Sequence, residues 1–353
     1  MTGTPRTPDR AGVNRPLGIW LAAWAAMLFV LILIGGGTRL TESGLSITEW
    51  KPIAGVIPPL NHAQWVDAFN RYKAIPQYLA IHAGMTLEQF KGIFLWEYMH
   101  RLWARLAGVA FLVPLLWFLA RGMVPRAMRG RLWLLLVLLG LQGALGWFMV
   151  ASGLSGRIEV SQYRLAAHLA AALLIYGATV WTAADFLAGA PRPAGADLAR
   201  VRRWAWILTG AAVTTAIAGA FVAGLRAGKM FNTFPLMAGR FAPPGYWSLS
   251  PWPRNFFDNP AAAQFDHRIL AESTAVAILA FWWWTRRRDV PIRVHRAVTL
   301  LALAVVVQVT LGVLTLLNAV PVPLGVAHQA GAVVLITTGL LAAHTARQKA
   351  DHG

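Results

Sequence analysis

The chain has 353 residues, of which 57% are hydrophobic and 13% are charged, and it contains no cysteine. Soluble globular domains are about 25% charged, so the composition excludes an ordinary soluble protein. The lack of cysteine excludes disulfides, thiolate metal sites and cysteine nucleophiles. The net charge of +18 raises the alternative of a nucleic-acid-binding surface, which the distribution of charge along the chain argues against.

Long uncharged runs predict membrane-spanning helices. A helix needs about 20 apolar residues to cross the hydrocarbon core. Six runs without Asp, Glu, Lys or Arg reach that length: 16–38, 132–156, 165–184, 204–225, 297–320 and 321–346. Two further apolar runs, 94–120 and 264–285, carry charges near one end. We therefore predict an all-α integral membrane protein with eight transmembrane helices.

The basic residues indicate the orientation of the predicted spans. Alternate connections hold 18 of the 32 Lys and Arg residues but only 5 of the 14 acids, namely 1–15, 121–131, 185–203, 286–296 and 347–353. Short basic connections face the cytoplasm, so we expect both termini inside and no nucleic-acid partner. No signal-peptide core with a cleavage site follows residues 1–15, which predicts a retained first span and favours a bacterial cytoplasmic membrane.

The first outer connection, 39–93, contains two local signals. Trp65, Phe69, Tyr72 and Ile75 recur at helical spacing and predict a short amphipathic helix. Thr86 followed three residues later by Gln89 predicts a capping box at the start of the helix that becomes the second span.

Three pairs of motifs indicate an internal repeat. They are EYMHR with QFDHR, LQGALG with VQVTLG, and AHLA with AHQA, and they lie 167, 166 and 160 residues apart in the same order. We predict two pseudo-symmetric four-helix bundles. The expected segments are a cytoplasmic tail 1–15, an N-terminal half 16–184, a cytoplasmic linker 185–203, a C-terminal half 204–346 and a cytoplasmic tail 347–353.

Four of the nine histidines fall at the outer ends of the even-numbered predicted spans, two in each half: His100, His168, His267 and His328. Ionisable groups in spans are costly and usually functional. Two imidazoles from neighbouring helices can hold a haem iron from both faces, whereas zinc needs three or four ligands. The alternative is four hydrogen-bonded packing histidines. The other five, His62, His82, His295, His344 and His352, are predicted to be solvated or interfacial.

The repeat is asymmetric next to these histidines. Glu97 precedes His100 by three residues, and Gln264 takes the same place before His267. A carboxylate one turn from an iron ligand could move protons or stabilise charge on a substrate; its alternative is a helix-start carboxylate favoured by the dipole. One site is therefore expected to be reactive.

Several arginines are candidates for further roles. Arg105 is predicted to pair with Glu272, its counterpart in the repeat, or to reach the interface. Three arginines are candidates for binding haem propionates or lipid headgroups: Arg101, Arg164 and Arg268.

Several long stretches closely resemble the heme A synthase family in its mitochondrial and proteobacterial branch, over residues 17–345. They are GGGTRLTESGLSITEWKPIAGVIPP, MTLEQFKGIFLWEYMHRLWARLAG, VSQYRLAAHLAAALLIYG, GLRAGKMFNTFPLM and FDHRILAE. The resemblance implies two four-helix bundles. It also implies oxidation of the C8 methyl of haem O to a formyl group, through two hydroxylations and loss of water from a geminal diol.

The resemblance implies a role for each site residue. His100 and His168 match the ligands of the substrate haem, with Glu97 the essential carboxylate. His267 and His328 match the ligands of a resident haem b cofactor, and the haem sites lie near the outer face. Membrane lipid surrounds the spans, whereas a haem O-producing farnesyltransferase, an electron acceptor and a homo-oligomer are left open as partners.

Another branch of the family carries a cysteine pair in the first outer loop, which this chain lacks. That loop is therefore expected to serve another purpose, such as a lid over the substrate haem.

Two other functions stay open at this point. A di-haem membrane cytochrome b carrying electrons between quinone and a partner would have two equivalent sites, which the Glu97/Gln264 difference opposes. A repeat-built transporter with histidine proton relays often breaks its spans near the midplane, whereas these histidines lie at the outer ends.

Overall fold

The computed structural model describes residues 10–51, 54–154, 158–188 and 195–347. The predicted tails 1–15 and 347–353 and the linker 185–203 fall partly outside these ranges, and His352 falls wholly outside them. The described residues form helices without a β-strand: α1 (Arg10–Leu40), α2 (His62–Lys73), α3 (Pro76–Ile81), α4 (Leu87–Ala120), α5 (Arg126–Leu154), α6 (Gln162–Leu187), α7 (Ala196–Gly224), α8 (Asn255–Asp258), α9 (Pro260–Thr285), α10 (Ile292–Leu317) and α11 (Val322–Thr345).

Seven helices of the described ranges are long and apolar enough to cross a membrane: α1, α4, α5, α6, α7, α10 and α11. The chain is therefore a multi-pass helical membrane protein. The predicted eighth span coincides with α9, a helix of 26 residues that is not among the seven. Its first half contains three charged residues, Asp266, Arg268 and Glu272, which lower its hydropathy.

The long helices contact one another in a repeated pattern. In the first half α1 contacts α4 and α6, and α5 contacts the same two helices. In the second half α7 and α10 each contact α9 and α11 in the same way. Between the halves α1 packs on α11, α6 packs on α7, and α6 packs on α11. The pairs α1/α7 and α6/α11 thus have equivalent neighbours, as a duplicated unit requires.

Tryptophans join α1 to α4 within the apolar core. The indole nitrogens of Trp20 and Trp24 donate to the carbonyls of Ala110 and Ala107, at 3.0 and 2.9 Å. Trp103 donates in the opposite direction to the carbonyl of Met27, at 2.9 Å. Because each buried indole N–H finds an acceptor, the large rings are buried without leaving an unpaired donor.

Both local signals in the first outer connection are confirmed, except that Ile75 lies beyond α2, which ends at Lys73. Phe69 and Tyr72 are buried on α2, where they pack with Phe90 and Phe94 of α4. The capping box of Thr86 with Gln89 begins α4, which continues through the second predicted span. The connection is therefore folded against the N-terminal part of α4.

Ion pairs join the two halves at the predicted outer end. Arg39, at the end of α1, binds Glu159 at 3.0 Å and donates to the carbonyl of Ala223 in α7 at 2.9 Å. Arg226, just after α7, pairs with Glu159 and also with Glu42 at 3.1 Å. These contacts tie the first outer connection to the second half of the chain.

A second cluster of charged side chains, around Asp185, lies at the helix ends opposite those that carry the first cluster. Asp185 of α6 accepts from Arg131 of α5 at 2.7 Å and from Nε2 of His344 of α11 at 3.0 Å. Arg347 also pairs with Asp185. The cluster joins α5, α6 and α11 across the two halves. Asp185 lies within α6, which continues to Leu187, so the break between the halves is shorter than the predicted linker.

The predicted pairing of Arg105 with Glu272 is wrong. Among the described residues no ion pair joins them, and Arg105 instead donates to the carbonyl of Lys51 at 3.1 Å. The long guanidinium side chain reaches up to the first outer connection rather than across to the second half.

Candidate functional site

The two predicted histidines of the second half lie side by side. His267 of α9 and His328 of α11 have ring centroids 6.4 Å apart and ring planes at 87°. Two metal–nitrogen bonds of about 2 Å each account for about 4 Å of this separation, which leaves about 1.2 Å for the radius of each five-membered ring. The spacing therefore fits one metal ion held between the two imidazoles.

Each of the four histidines lies against a glycine of a neighbouring helix. A Cβ on Gly35 of α1 would lie 2.9 Å from Cε1 of His100, and one on Gly219 of α7 would lie 3.1 Å from Cε1 of His267. The same relation joins Gly146 to His168 at 3.1 Å and Gly312 to His328 at 2.9 Å. A Cβ at Gly35 or Gly312 would collide with the imidazole, and one at Gly146 or Gly219 would be in unusually tight contact with it. The repeat detected in the sequence is thus a repeat of histidine environments.

Glutamines from α5 and α10 approach one histidine in each half. Gln142 places Nε2 3.2 Å from Nδ1 of His168, and Gln308 places Nε2 3.3 Å from Nδ1 of His328. The side-chain oxygen of each glutamine is buried without a hydrogen-bond partner in the described part of the chain. The motif LQGALG/VQVTLG contains both residues, so the repeat was the signal that could have assigned them to the site.

The other histidine of each half differs in its partner. Nδ1 of His267 lies 3.0 Å from the carbonyl oxygen of Thr215 in α7. Nδ1 of His100 is buried and has no hydrogen-bond partner among the described residues. Such buried orphan nitrogens and oxygens are rare in folded proteins. They fit positions where a bound group completes the site.

Glu97 is 3% exposed and is held by three donors. Its Oε2 accepts from the hydroxyl of Ser46 at 2.7 Å and from the backbone N–H of Ile47 at 2.8 Å. Its Oε1 accepts from Arg101 at 2.5 Å. Glu97 is the eleventh residue of α4, which begins at Leu87, so the helix-start interpretation is wrong. The carboxylate binds the first outer connection beside His100.

Arg101 and Arg268 hold the outer connections in both halves. Arg101 donates to the carbonyls of Ile47 at 3.0 Å and Glu49 at 3.1 Å. Arg268 donates to the carbonyls of Phe231 at 2.7 Å and Thr233 at 2.8 Å. In each half, the arginine that follows the histidine therefore binds the connection that leaves α1 or α7.

Gln264, the counterpart of Glu97, also binds the outer connection of its own half. It is 2% exposed, and its Nε2 donates to the carbonyl of Phe231 at 3.1 Å. The carboxylate of Glu97 accepts from its loop, whereas the amide of Gln264 donates to its own. The sequence asymmetry thus coincides with opposite hydrogen-bond polarity at equivalent positions.

Arg164, the third predicted propionate contact, turns back onto α5. Its Nη1 donates to the carbonyl of Phe148 at 3.2 Å, and its guanidinium lies 4.0 Å from the centre of the Phe148 ring. Arg101 and Arg268 are engaged by loop carbonyls, so the binding of propionates by any of the three stays a prediction.

Two histidines predicted to be solvated or interfacial are instead held in networks. His344 is 4% exposed and binds Asp185, as described above. His82 lies 2.5 Å through Nδ1 from the hydroxyl of Tyr72 and 3.7 Å through Nε2 from Glu42. Burial lowers the pKa of His82, with Glu42 opposing that shift and Arg226 adding to it. Long-range packing of the connection on α4 buries His82, which local sequence does not reveal.

In the described ranges, the histidine pairs are not part of a larger cluster of metal-binding side chains. Within the ranges that the structure describes, no three His, Cys, Asp or Glu side chains converge to hold a metal ion. The separation of His267 and His328 is compatible with one iron held between them whose other ligands come from a macrocycle. This donor set does not fit a structural zinc site.

Comparison with known proteins places the chain in a family. A family model described as COX15-CtaA, cytochrome oxidase assembly protein, matches residues 18–340. The heme A synthase of Rhodospirillum centenum is 49% identical over 335 residues, covering 95% of this chain and 89% of its own. That of Nitrosospira multiformis is 44% identical over 345 residues, covering 98% and 97%.

A heme A synthase of Rhodopseudomonas palustris is 50% identical over 331 residues, which cover 93% of this chain and 90% of the relative. The matched residues 18–340 contain all four histidines and both outer connections of this chain. The chain therefore belongs to the COX15-CtaA family of cytochrome oxidase assembly proteins, among the heme A synthases.

Proposed function

We propose that this chain is a heme A synthase, which oxidises the C8 methyl group of haem O to a formyl group and so supplies haem A for cytochrome oxidase. The observation that carries the proposal is the repeated pair of histidine environments, of which only one has a buried carboxylate three residues before its first histidine. A chain that only relayed electrons would need two equivalent sites.

We infer that α9 is the eighth transmembrane helix. Its 26 residues are sufficient to cross the hydrocarbon core, and its charges lie towards the end that carries His267. With α9 included, α1, α4, α5 and α6 form one four-helix bundle and α7, α9, α10 and α11 form the other. These bundles correspond to the proposed halves 16–184 and 204–346.

The charge distribution supports an orientation in a bacterial cytoplasmic membrane with both termini inside. Because four spans return the chain to its starting side, the two bundles have the same orientation. All four histidines then lie near the outer face, beneath the two folded outer connections.

His100 and His168 are proposed to hold the substrate haem O, and His267 and His328 to hold a resident haem b. Haem b, held by His267 and His328, would supply a one-electron redox centre. The fit rests on the 6.4 Å separation of the two rings in the second half. The glycines that face the histidines keep space for the imidazoles to turn toward a bound macrocycle.

Glu97 is the proposed catalytic residue of the first site. Its buried carboxylate can accept or hold a proton beside the substrate, and its bonds to Ser46 and Ile47 couple that role to the position of the first outer connection. The connection then acts as a lid whose closure depends on the charge of Glu97. Arg101 supports the closed arrangement by binding both the lid and the carboxylate.

The test is to identify the haems that the chain binds. The protein is produced beside a source of haem O, purified in detergent, and its extracted haems are separated by chromatography and identified by mass. Haem B together with haem A, or with a hydroxylated haem O, supports the proposal. Haem B alone would favour the alternative, a di-haem cytochrome b that exchanges electrons with quinone. The test also shows whether an added farnesyltransferase or electron acceptor raises the yield of haem A.

A further inference from the structure

The two histidine pairs differ in what holds the ring nitrogen Nδ1. In the second half the carbonyl of Thr215, an acceptor, lies 3.0 Å from Nδ1 of His267, and Nε2 of Gln308 lies 3.3 Å from Nδ1 of His328. An imidazole that binds iron through Nε2 carries its proton on Nδ1. A hydrogen bond from that N–H to an acceptor fixes the tautomer and makes the ligand more basic.

In the first half, the carbonyl that corresponds to that of Thr215 does not bind the histidine. Thr215 lies four residues before Gly219, the glycine that faces His267, and the corresponding residue before Gly35 is Leu31. No hydrogen bond joins the carbonyl of Leu31 to His100, whose Nδ1 is buried without a partner in the described ranges. Gly35 faces His100 as Gly219 faces His267, but the carbonyl four residues before Gly35 makes no hydrogen bond to the ring.

Gln142 is also less available to its histidine than Gln308 is. Its Nε2 donates to the backbone carbonyl of His168 itself at 2.9 Å, besides lying near both ring nitrogens. The amide of Gln308 approaches the imidazole of His328 at Nδ1 alone. Both glutamine oxygens are buried and unpartnered in the described part of the chain. Turning the Gln308 amide end for end presents its oxygen to a protonated Nδ1 of His328, whereas the same turn of Gln142 would lose its bond to the carbonyl of His168.

We infer that these hydrogen bonds divide the two sites into a permanent one and an exchangeable one. This inference rests on the proposed function. Thr215 and Gln308 position His267 and His328 so that haem b is retained, whereas His100, which lacks an acceptor, binds the first-half haem weakly enough for substrate to enter and product to leave. Gln308 is a positioning residue, because it acts on the iron only through His328.

The size of the effect follows from other metal sites. Removing the hydrogen-bond partner of a metal-binding histidine typically weakens metal affinity about 10- to 100-fold. A difference of one such bond between two otherwise equivalent histidine pairs is enough to separate a haem that stays through purification from one that exchanges during turnover. A synthase requires this separation, since its product must leave for the oxidase.

The experiment measures haem release from the purified full-length protein loaded with both haems. Excess apomyoglobin captures released haem, and the captured haems are identified by chromatography as B, O or A. In the unaltered protein we expect haem O and haem A to be captured at least about tenfold faster than haem B. Equal rates for the two classes of haem would overturn the inference.

Matched variants connect the rates to the named groups. Gln308→Met keeps the shape of the side chain but removes its acceptor, and it should speed haem B release about 10- to 100-fold and raise the midpoint potential of haem b. Gln308→Glu keeps an acceptor and should restore slow release and lower that potential. Gln142→Met should change the release of haem O and haem A only.

Gln329→Met is the control for structural loss. Gln329 neighbours His328 but donates to the carbonyl of Ile32 in α1 at 2.8 Å, so haem B release and potential should stay as in the unaltered protein. If Gln308→Met also leaves both quantities unchanged while His328→Ala loses haem B, the inference fails and the proposed function stands. A purified protein that holds no haem in any variant would instead overturn the proposed function.

Discussion

At the scale of single residues, Glu97 is the proposed catalytic group and also accepts hydrogen bonds from the first outer connection. The sequence could identify it, because the repeat exposes a carboxylate where the other half has Gln264. Its three donors could not be predicted, since Ser46 and Ile47 lie about 50 residues earlier in a connection without regular spacing. The glutamines Gln142 and Gln308 were visible as a repeat, but their contact with histidines depends on how α5 and α10 pack.

The first prediction concerns Glu97→Gln. The neutral amide keeps the shape and one acceptor, so haem binding should remain. Haem A should fall at least about 100-fold, in the range typical of losing a general acid or base. Extracted haems are compared by chromatography, with Gln264→Glu as the reciprocal variant. Normal haem A from Glu97→Gln would remove Glu97 from the mechanism.

His82 gives a pH-dependent prediction. Its folded pKa is lowered below the ordinary value of 6.5, chiefly by burial, so the unfolded or opened connection binds the proton more readily. The stabilisation is complete above about pH 6.5 and is lost as the pH falls through the lowered folded pKa. Hydrogen exchange of residues 72–85 should therefore quicken between about pH 7 and pH 5.

His82→Gln is the control for this effect. Glutamine can still bond to the hydroxyl of Tyr72, but it does not titrate in this range. The variant should show the same exchange at both pH values after correction for the intrinsic chemical rate. An unaltered pH response in His82→Gln would assign the titration to another group.

At the scale of elements, most of the helices could be predicted. All eight predicted spans correspond to long helices, and the capping box of Thr86 begins α4 as expected. Uncharged length and a cap are local properties, so the sequence reports them directly. The folding of the connection against α4 and the turn of Arg105 toward Lys51 depend on distant contacts, so neither was foreseen.

A matched pair of arginines tests how the outer connections are held. Arg101→Lys cannot contact Ile47, Glu49 and Glu97 together, because lysine lacks the planar fork of arginine. Protease cleavage within residues 46–51 should become faster while the second connection is unaffected. Arg268→Lys should loosen residues 231–233 and leave the first connection as it was. If both variants are cleaved like the unaltered protein, these contacts do not limit opening.

At the scale of the whole molecule, ion clusters at both ends join the two halves. Asp185 binds Arg131, His344 and Arg347, and it lies at the helix ends opposite those that carry the four site histidines. The sequence repeat predicted two similar halves but not their junction, because the partners of Asp185 come both from α5 and from the end of the chain, about 160 residues later.

Asp185→Asn should destabilise the assembly of the two halves. The variant leaves Arg131 and Arg347 without their counterion, and we expect a loss of about 2 kcal/mol, below the 3–5 kcal/mol of fully buried pairs because Arg131 is one-third exposed. The midpoint of thermal unfolding in detergent should fall. Asp197→Asn, which removes an exposed pair with Arg200 at 3.5 Å, should change it little.

The central claim is that one histidine pair holds substrate and the other holds a resident haem. The most direct measurement is the haem inventory of two single variants, His100→Ala and His267→Ala, produced beside a source of haem O. His100→Ala should keep haem B and lose both haem O and haem A, whereas His267→Ala should lose haem B and retain unconverted haem O. Loss of the same haem from both variants would contradict the division of the two sites.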